Sequence, residues 1–365
     1  MTSKPEIAVI GLKGLPAFGG AAAVGESIVD ELKHSFDFTV FSVASHTIQK
    51  SGDYNGFKQI VFKNFGKGGI NTLLYYLQSL FYCLFIKKFD LIHLHHSESG
   101  FITPFLRLRY KVIVTFHLTF EEDDMKFAHW QNNFFRWSEK KNINFANLIV
   151  SVSDPDRSYV YKKYGKQILY IPNGISIIET QKDSTAHKYI MYAAGRIYQK
   201  KGLHFLLEAL KKINYKGKLK IAGDLDQVSA YRKQITELSK DLDIEFLGMI
   251  KEKNKLMEHV ANAQLFIFPS TYEAMSMMLL EAGSQKTPLI ASDIPSNKAV
   301  FNNDEVLFFS NSDSNDLAEK IQFALNNSDI MQQKTEKAFQ RLLLKHSWKN
   351  IAAEYQLLYN QLLNT

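Results

Sequence analysis

One feature constrains this chain more than any other. Short apolar runs alternate with helix-length stretches, the pattern breaks once, and then it starts again. In the first half the runs are Glu6–Leu12, Phe38–Val43, Gln59–Phe62, Asp90–His95, Lys111–Phe116, Leu148–Val152 and Ile168–Ile171. Alternation of this kind predicts a parallel sheet with helices on both faces. Pro172-Asn173-Gly174 then interrupts the chain, and the polar stretch Glu179–Lys188 reads as a linker. The rhythm resumes at Tyr189–Ala194, Leu219–Gly223, Ile244–Leu247, Leu265–Pro269 and Pro288–Ser292, with Val306–Phe309 as a last strand. Three helical stretches close the chain, the final one at about Trp348–Leu363. A chain of 365 residues accommodates two such cores. The expected fold is α/β, with two Rossmann-like doubly wound domains facing a cleft. Open sheets of this type bind ligands outside the carboxyl ends of their strands, so the loops after the strands are where chemistry belongs.

Composition narrows the function classes. Charged residues make up 22% and apolar residues 45%, an ordinary globular balance. The single cysteine, Cys83, excludes a disulfide framework within the chain and suits a reducing compartment. Met1–Glu6 does not resemble a signal peptide, so a cytoplasmic location is expected. The formal charge of +7 falls mainly in the first half, which suggests a phosphorylated substrate or an anionic membrane. No nucleic-acid motif accompanies it, and no nucleic-acid partner is expected.

The first glycine loop, Gly11–Gly20, follows a strand and opens a helix, a position where backbone N–H groups can approach a phosphate or sugar. Its spacing is not G-x-G-x-x-G and no acid ends the next strand, which argues against a dinucleotide enzyme. Arg196 and Lys201 follow the first strand of the second half, where a fork and a point charge together suit a diphosphate. The richest segment is Phe266–Asp293. There a strand ends at Pro269, a loop carries Glu273, and a helix begins near Ser276, aims the N–H groups of Met277 and Met278 forward and carries Glu281. The two glutamates lie too far apart for one task. One can hydrogen-bond sugar hydroxyls and the other a ribose; the plain alternative is a helix-start acid and a surface glutamate.

Other segments are ambiguous. His93 and His95 share a strand face beside His96, but no carboxylate or cysteine partner is evident, so a polar lining for an acceptor is favoured over a metal. The acidic run Glu121–Asp124 reads as solvated. Ile70–Ile86 is apolar yet short for a bilayer span, and reads as a buried crossover helix. Met125–Lys141 interleaves aromatics with cations, an interfacial composition that makes a peripheral contact with an anionic membrane conceivable.

Phe266–Asp293 resembles the donor-binding motif of family 4 glycosyltransferases of the GT-B fold, with two glutamates separated by seven residues. Gly19–Leu32, Val114–Phe120, Ile149–Asp154, Tyr170–Ile175, Ala193–Gly202 and His346–Leu362 are similar to other blocks of that family, in the same order. The resemblance implies an N-terminal acceptor domain at 1–175, a nucleotide-sugar donor domain at 176–347 and a closing helix at 348–365 that returns to the N-terminal domain. It implies a retaining, metal-independent transferase without a cofactor, which moves a sugar from a UDP-, GDP- or dTDP-sugar to a saccharide or lipid-linked acceptor in cell-surface polysaccharide or glycolipid assembly. By position, Arg196 and Lys201 would hold the diphosphate, Glu281 the ribose and Glu273 the transferred sugar. Gly19 and Gly20 would border phosphate or acceptor, Met277 and Met278 would offer backbone N–H groups, and His117 would line the cleft. The chain departs from the family at Ala274-Met275-Ser276, Ala299 and Ala22. These changes leave two rivals in view: a nucleotide-sugar epimerase on the same scaffold and a non-catalytic sugar-nucleotide binder.

Overall fold

The structure is a computed structural model that describes residues 4–17, 20–65, 68–119, 128–180, 189–275 and 277–365. It divides into two compact units, Met1–Gly174 with Trp348–Thr365, and Ile175–Ser347.

Unit 1 begins with β1 (Glu6–Lys13), α1 (Gly20–Leu32), β2 (Asp37–Val43), β3 (Gly52–Tyr54), β4 (Phe57–Phe62) and α2 (Gly69–Phe81). It continues through β5 (Leu91–His95), α3 (Thr103–Leu106), β6 (Lys111–Phe116), α4 (His129–Phe145), β7 (Leu148–Ser151), α5 (Asp154–Tyr164) and β8 (Leu169–Tyr170). Among the described residues its strands form one sheet in the order β3-β4-β2-β1-β5-β6-β7-β8, parallel except for β3 against β4. That hairpin is absent from the sequence reading. Its signal is Asn55-Gly56, both with positive φ, which makes the two-residue turn that strand twist favours.

The strand order sets which face each helix covers. The connection from β1 to β2 runs one way across the sheet, whereas those through α2, α3, α4 and α5 run the other way. Right-handed crossovers therefore put α2 to α5 on one face and α1 on the opposite face. The first face is sealed by Tyr75, Tyr76, Ile102, Leu106, Ile143 and Val160 over Ala8, Ile92, Val112 and Val114.

Helix α2 differs from its expected burial. It runs into a wider π-type turn at Tyr82–Ile86, where the Lys87 N–H donates to the Tyr82 carbonyl, and only 28% of Gly69–Ile86 is buried. One side carries Tyr75, Tyr76 and Ser79 into the core, while Ile70, Phe81 and Phe85 are exposed. The apolar content that suggested a wholly buried helix is thus shared between a core side and an outer side.

Unit 2 comprises β9 (Tyr189–Arg196), α6 (Leu203–Lys212), β10 (Lys218–Asp224), α7 (Ser229–Leu238), β11 (Ile244–Gly248), α8 (Lys253–Ala261) and β12 (Leu265–Phe268). After these come α9 (Met277–Ser284), β13 (Leu289–Ser292), α10 (Pro295–Val300), β14 (Leu307–Phe309), α11 (Ser314–Asn326) and α12 (Ser328–Lys345). Its parallel sheet runs β11-β10-β9-β12-β13-β14. Two apolar layers, one around Leu206, Leu210 and Ile321 and the other around Phe266, Leu280 and Leu342, cover its faces. The last helix, α13 (Trp348–Leu363), belongs to unit 1, where it packs on α1 and on β5.

Candidate active site

In a doubly wound sheet the crevice opens where strand order reverses, because the two loops leaving that point diverge to opposite faces. In unit 2 the reversal lies between β9 and β12. The loops after these two strands carry Arg196, Lys201 and Glu273, and they are tied together. The Thr271 N–H donates to the Lys200 carbonyl at 2.8 Å, and the Lys200 ammonium lies 5.2 Å from the centre of the Tyr272 ring. Lys201 ends a short 3-10 turn, Gln199–Lys201, and its carbonyl accepts from the buried Tyr192 hydroxyl at 3.2 Å. Gly202, at φ +68°, then turns the chain into α6 while its Cα passes against the Pro269 backbone. Packing this close admits no side chain.

Lys201 Nζ meets Glu273 Oε1 at 2.5 Å, with side-chain exposures of 21% and 12%. At these exposures little water screens the attraction, which offsets the desolvation cost of withdrawing both charges. Glu281 sits further along α9, 13% exposed, and pairs with Lys253 Nζ at 2.9 Å. Lys253 starts α8 and was not singled out from sequence; it directly follows the loop after β11, which also leaves a strand's carboxyl end. Arg196 ends β9 beside Asp224 of β10 and is exposed. Met277 and Met278 form the first turn of α9, whose leading N–H groups have no acceptor within the helix. Ser276 lies outside the described residues. Ala274 is buried and Met275 packs against the core, so these two departures fill space at the helix start. Ala299 is exposed on α10.

In unit 1 the reversal lies between β1 and β5. Tyr75 supports the β1 loop from below: the Gly11 N–H donates to its hydroxyl at 2.8 Å, and that hydroxyl donates to the Phe41 carbonyl at 2.9 Å. Gly20 opens α1, and Glu26 accepts the Ala17 N–H at 2.9 Å, fixing the loop's end. Gly19 lies outside the described residues. Lys13 reaches across to Glu98, after β5, at 3.4 Å. Burial opposes ionisation of Glu98, but His96 and Lys13 hold its carboxyl below the usual range.

His117, just after β6, places Nε2 2.9 Å from His95 Nδ1 with the rings stacked. Burial first, then the neighbouring His96 and His93, push His117 well below the ordinary imidazole range, so it is neutral at pH 7 and works through hydrogen bonds. The expected acceptor lining by His93 and His95 is corrected, because both are about 1% exposed. His93 is held by Tyr359 of α13 at 2.7 Å and Thr115 at 2.8 Å, with Tyr355 3.2 Å from the same threonine. These groups pin the last helix to the sheet. Among the described residues no group of three or more His, Cys, Asp or Glu is placed to hold a metal. Glu121–Asp124 lies outside the described residues.

The family model described as Glycosyltransferase Family 4 matches residues 18–178, and that described as Glycosyl transferases group 1 matches residues 176–341. The chain is a family 4-type glycosyltransferase of the GT-B fold. It is 23% identical over 286 residues to a phosphatidyl-myo-inositol mannosyltransferase of Mycobacterium leprae, covering 74% of this chain and 73% of that one. Several other curated relatives are matched over about half their own length. Among solved structures, the glycosyltransferase superposes on sucrose-phosphate synthase from Thermosynechococcus elongatus with a TM-score of 0.82 at 19% identity, covering 99% of both chains. Anabaena Alr3699/HepE in complex with UDP and glucose gives a TM-score of 0.79 at 18% identity, covering 98% of this chain and all of that one.

Proposed function

We propose that this glycosyltransferase transfers a sugar, with retention, from a nucleotide-diphosphate sugar held by unit 2 to a hydroxyl of a saccharide or lipid-linked acceptor bound by unit 1. The reaction would serve polysaccharide or glycolipid assembly. The observation that carries this reading is the Lys201–Glu273 pair at the strand reversal of unit 2, beside the first turn of α9. The UDP and glucose bound by the Anabaena neighbour support a nucleotide-sugar donor, and the mannosyltransferase relative, named for an inositol phospholipid, supports a lipid-linked acceptor.

In this reading Arg196 and Lys201 balance the charge that grows on the leaving diphosphate as the glycosidic carbon–oxygen bond breaks, and no metal is needed for that task. The N–H groups of Met277 and Met278 add partial positive charge on the same side. Glu281 accepts from the ribose hydroxyls. Glu273 accepts from hydroxyls of the transferred sugar and keeps the Lys201 ammonium in place. The acceptor hydroxyl attacks on the face the diphosphate leaves, and a phosphate oxygen takes its proton, which preserves the anomeric configuration. Neutral His117 would contact the sugar or acceptor, and Gly19 and Gly20 would border the phosphate or acceptor. The test is a melting screen against UDP-, GDP- and dTDP-sugars with wild type, Lys201→Ala and Glu281→Ala, since a ligand of the folded state alone raises the melting temperature. One nucleotide family should stabilise the wild type and neither variant. Equal stabilisation of all three proteins would remove both residues from the site, and isomerised sugar from donor alone would favour the epimerase.

A further inference from the structure

Outside the site, the largest unexplained feature is the outer surface of the α2 to α4 layer in unit 1. Six residues along one side of α2 and its π-type turn, Ile70, Leu73, Leu77, Phe81, Phe85 and Ile86, are each at least 41% exposed. Their spacing of three and four is one helical line. The i→i+5 turn at Tyr82–Ile86 rotates each residue less than an α turn does, which keeps Phe85 and Ile86 on that line. Phe81 and Phe85 touch, with ring centres 5.1 Å apart.

The line extends onto its neighbours. Arg109, just after α3, donates to the Leu84 carbonyl at 2.5 Å, and Arg107 donates to the Phe145 carbonyl at the end of α4 at 2.8 Å. Between these arginines stands Leu108, 84% exposed, and on α4 Trp130 and Trp137 are open to solvent. Lys141 lies over the Trp137 ring, its ammonium 5.4 Å from the centre. Residues 69–89, 101–111 and 128–146 hold eight lysines and arginines and one carboxylate, Glu139, which is fully buried. The opposite face is different, since α1 exposes Asp30 and Glu31.

We infer that this face docks on an anionic lipid bilayer, with the apolar line and the two tryptophans in the headgroup region and the cations against lipid phosphates. Lys87 is ion-paired with Glu6, but a surface that is apolar, aromatic and basic at once, with the one carboxylate of these three segments buried, matches an anionic interface in both of its terms. A protein partner of ordinary mixed charge would leave the basic rim unpaired. Binding of this kind strengthens with anionic lipid and weakens with salt.

Intrinsic fluorescence tests it directly. Two of the three tryptophans, Trp130 and Trp137, lie on this face, whereas Trp348 is buried. Phosphatidylglycerol vesicles should shift emission to the blue and sediment the protein at least about tenfold more strongly than phosphatidylcholine vesicles, and 0.5 M salt should erase most of that preference. Phe81→Ser with Phe85→Ser should abolish sedimentation with the melting temperature unchanged, since both rings are exposed. Lys88→Glu with Lys140→Glu should weaken phosphatidylglycerol binding about tenfold and leave phosphatidylcholine unaffected. No binding to phosphatidylglycerol vesicles, equal binding to both lipids, or a dimer in solution that the double serine variant dissolves would each overturn the assignment. None of these readouts involves sugar transfer, so they stand apart from the proposed reaction.

Discussion

Gly202→Ala should unfold unit 2 at a markedly lower denaturant concentration, and the reason lies in two separate costs. Gly202 occupies the left-handed region at φ +68°, where an alanine loses about 1–2 kcal/mol. A Cβ there would also stand 2.7 Å from the Pro269 carbonyl carbon and closer still to its oxygen. Both partners are backbone, so the β9 and β12 loops must separate, an overpacking cost of about 1–3 kcal/mol. The sum is about 2–5 kcal/mol, or roughly a 10 °C drop in melting temperature for a unit of this size. The same separation would pull Lys201 from Glu273, so donor turnover should fall as well. Gly195→Ala is the matched control: it lies seven residues earlier, its φ is not in the left-handed region, and an added Cβ meets nothing within 4 Å. Urea unfolding of both variants beside wild type measures the difference. A loss below about 1 kcal/mol in Gly202→Ala, or equal losses in both, would refute the contact argument.

Two further outcomes concern pH. Burial lowers His93 to about 3 and takes His95 and His117 well below the ordinary value, so their neutral forms are favoured on folding. Their contribution is intact above about pH 6.5 and is lost as pH falls toward the folded values, at about 1.4 kcal/mol per histidine per pH unit; urea midpoints at pH 7 and pH 5 should differ accordingly, and a flat profile would contradict it. Asp156 has the opposite sign. Burial raises its carboxyl to about 6, against the pull of the Thr119 N–H at 3.0 Å. Its contribution is present below about pH 4 and lost as pH rises to 6, so Asp156→Asn should gain about 3 kcal/mol at pH 7 and nothing at pH 4.

The parts of this enzyme that were legible in the sequence are those written locally. Apolar runs such as Lys111–Phe116 and Leu265–Phe268 are strands because a parallel sheet covered on both sides tolerates little else. Their loops, with Lys201 and Glu273, could be singled out because binding follows the strand ends. What escaped depends on partners distant in the chain. The Glu281–Lys253 pair joins two helices across a strand, and His93 looks like a solvent-lining residue until Tyr359 arrives from the far end. Asn55-Gly56 was a readable turn signal, hidden only because β3 has three residues and little apolar content. The stripe on α2 was visible as hydrophobicity, but no local rule says whether a core or a solvent face receives it.

The seating of α13 on unit 1 has a consequence for the order in which the chain can fold. On the ribosome, residues 348–365 emerge after every residue of Ile175–Ser347. Until then His93 and Thr115 lack the hydroxyls of Tyr359 and Tyr355, and the face of the first sheet that α1 covers lacks its second helix. The contiguous unit 2 meets no such delay. The half of the enzyme that is synthesised first is therefore the half that is finished last.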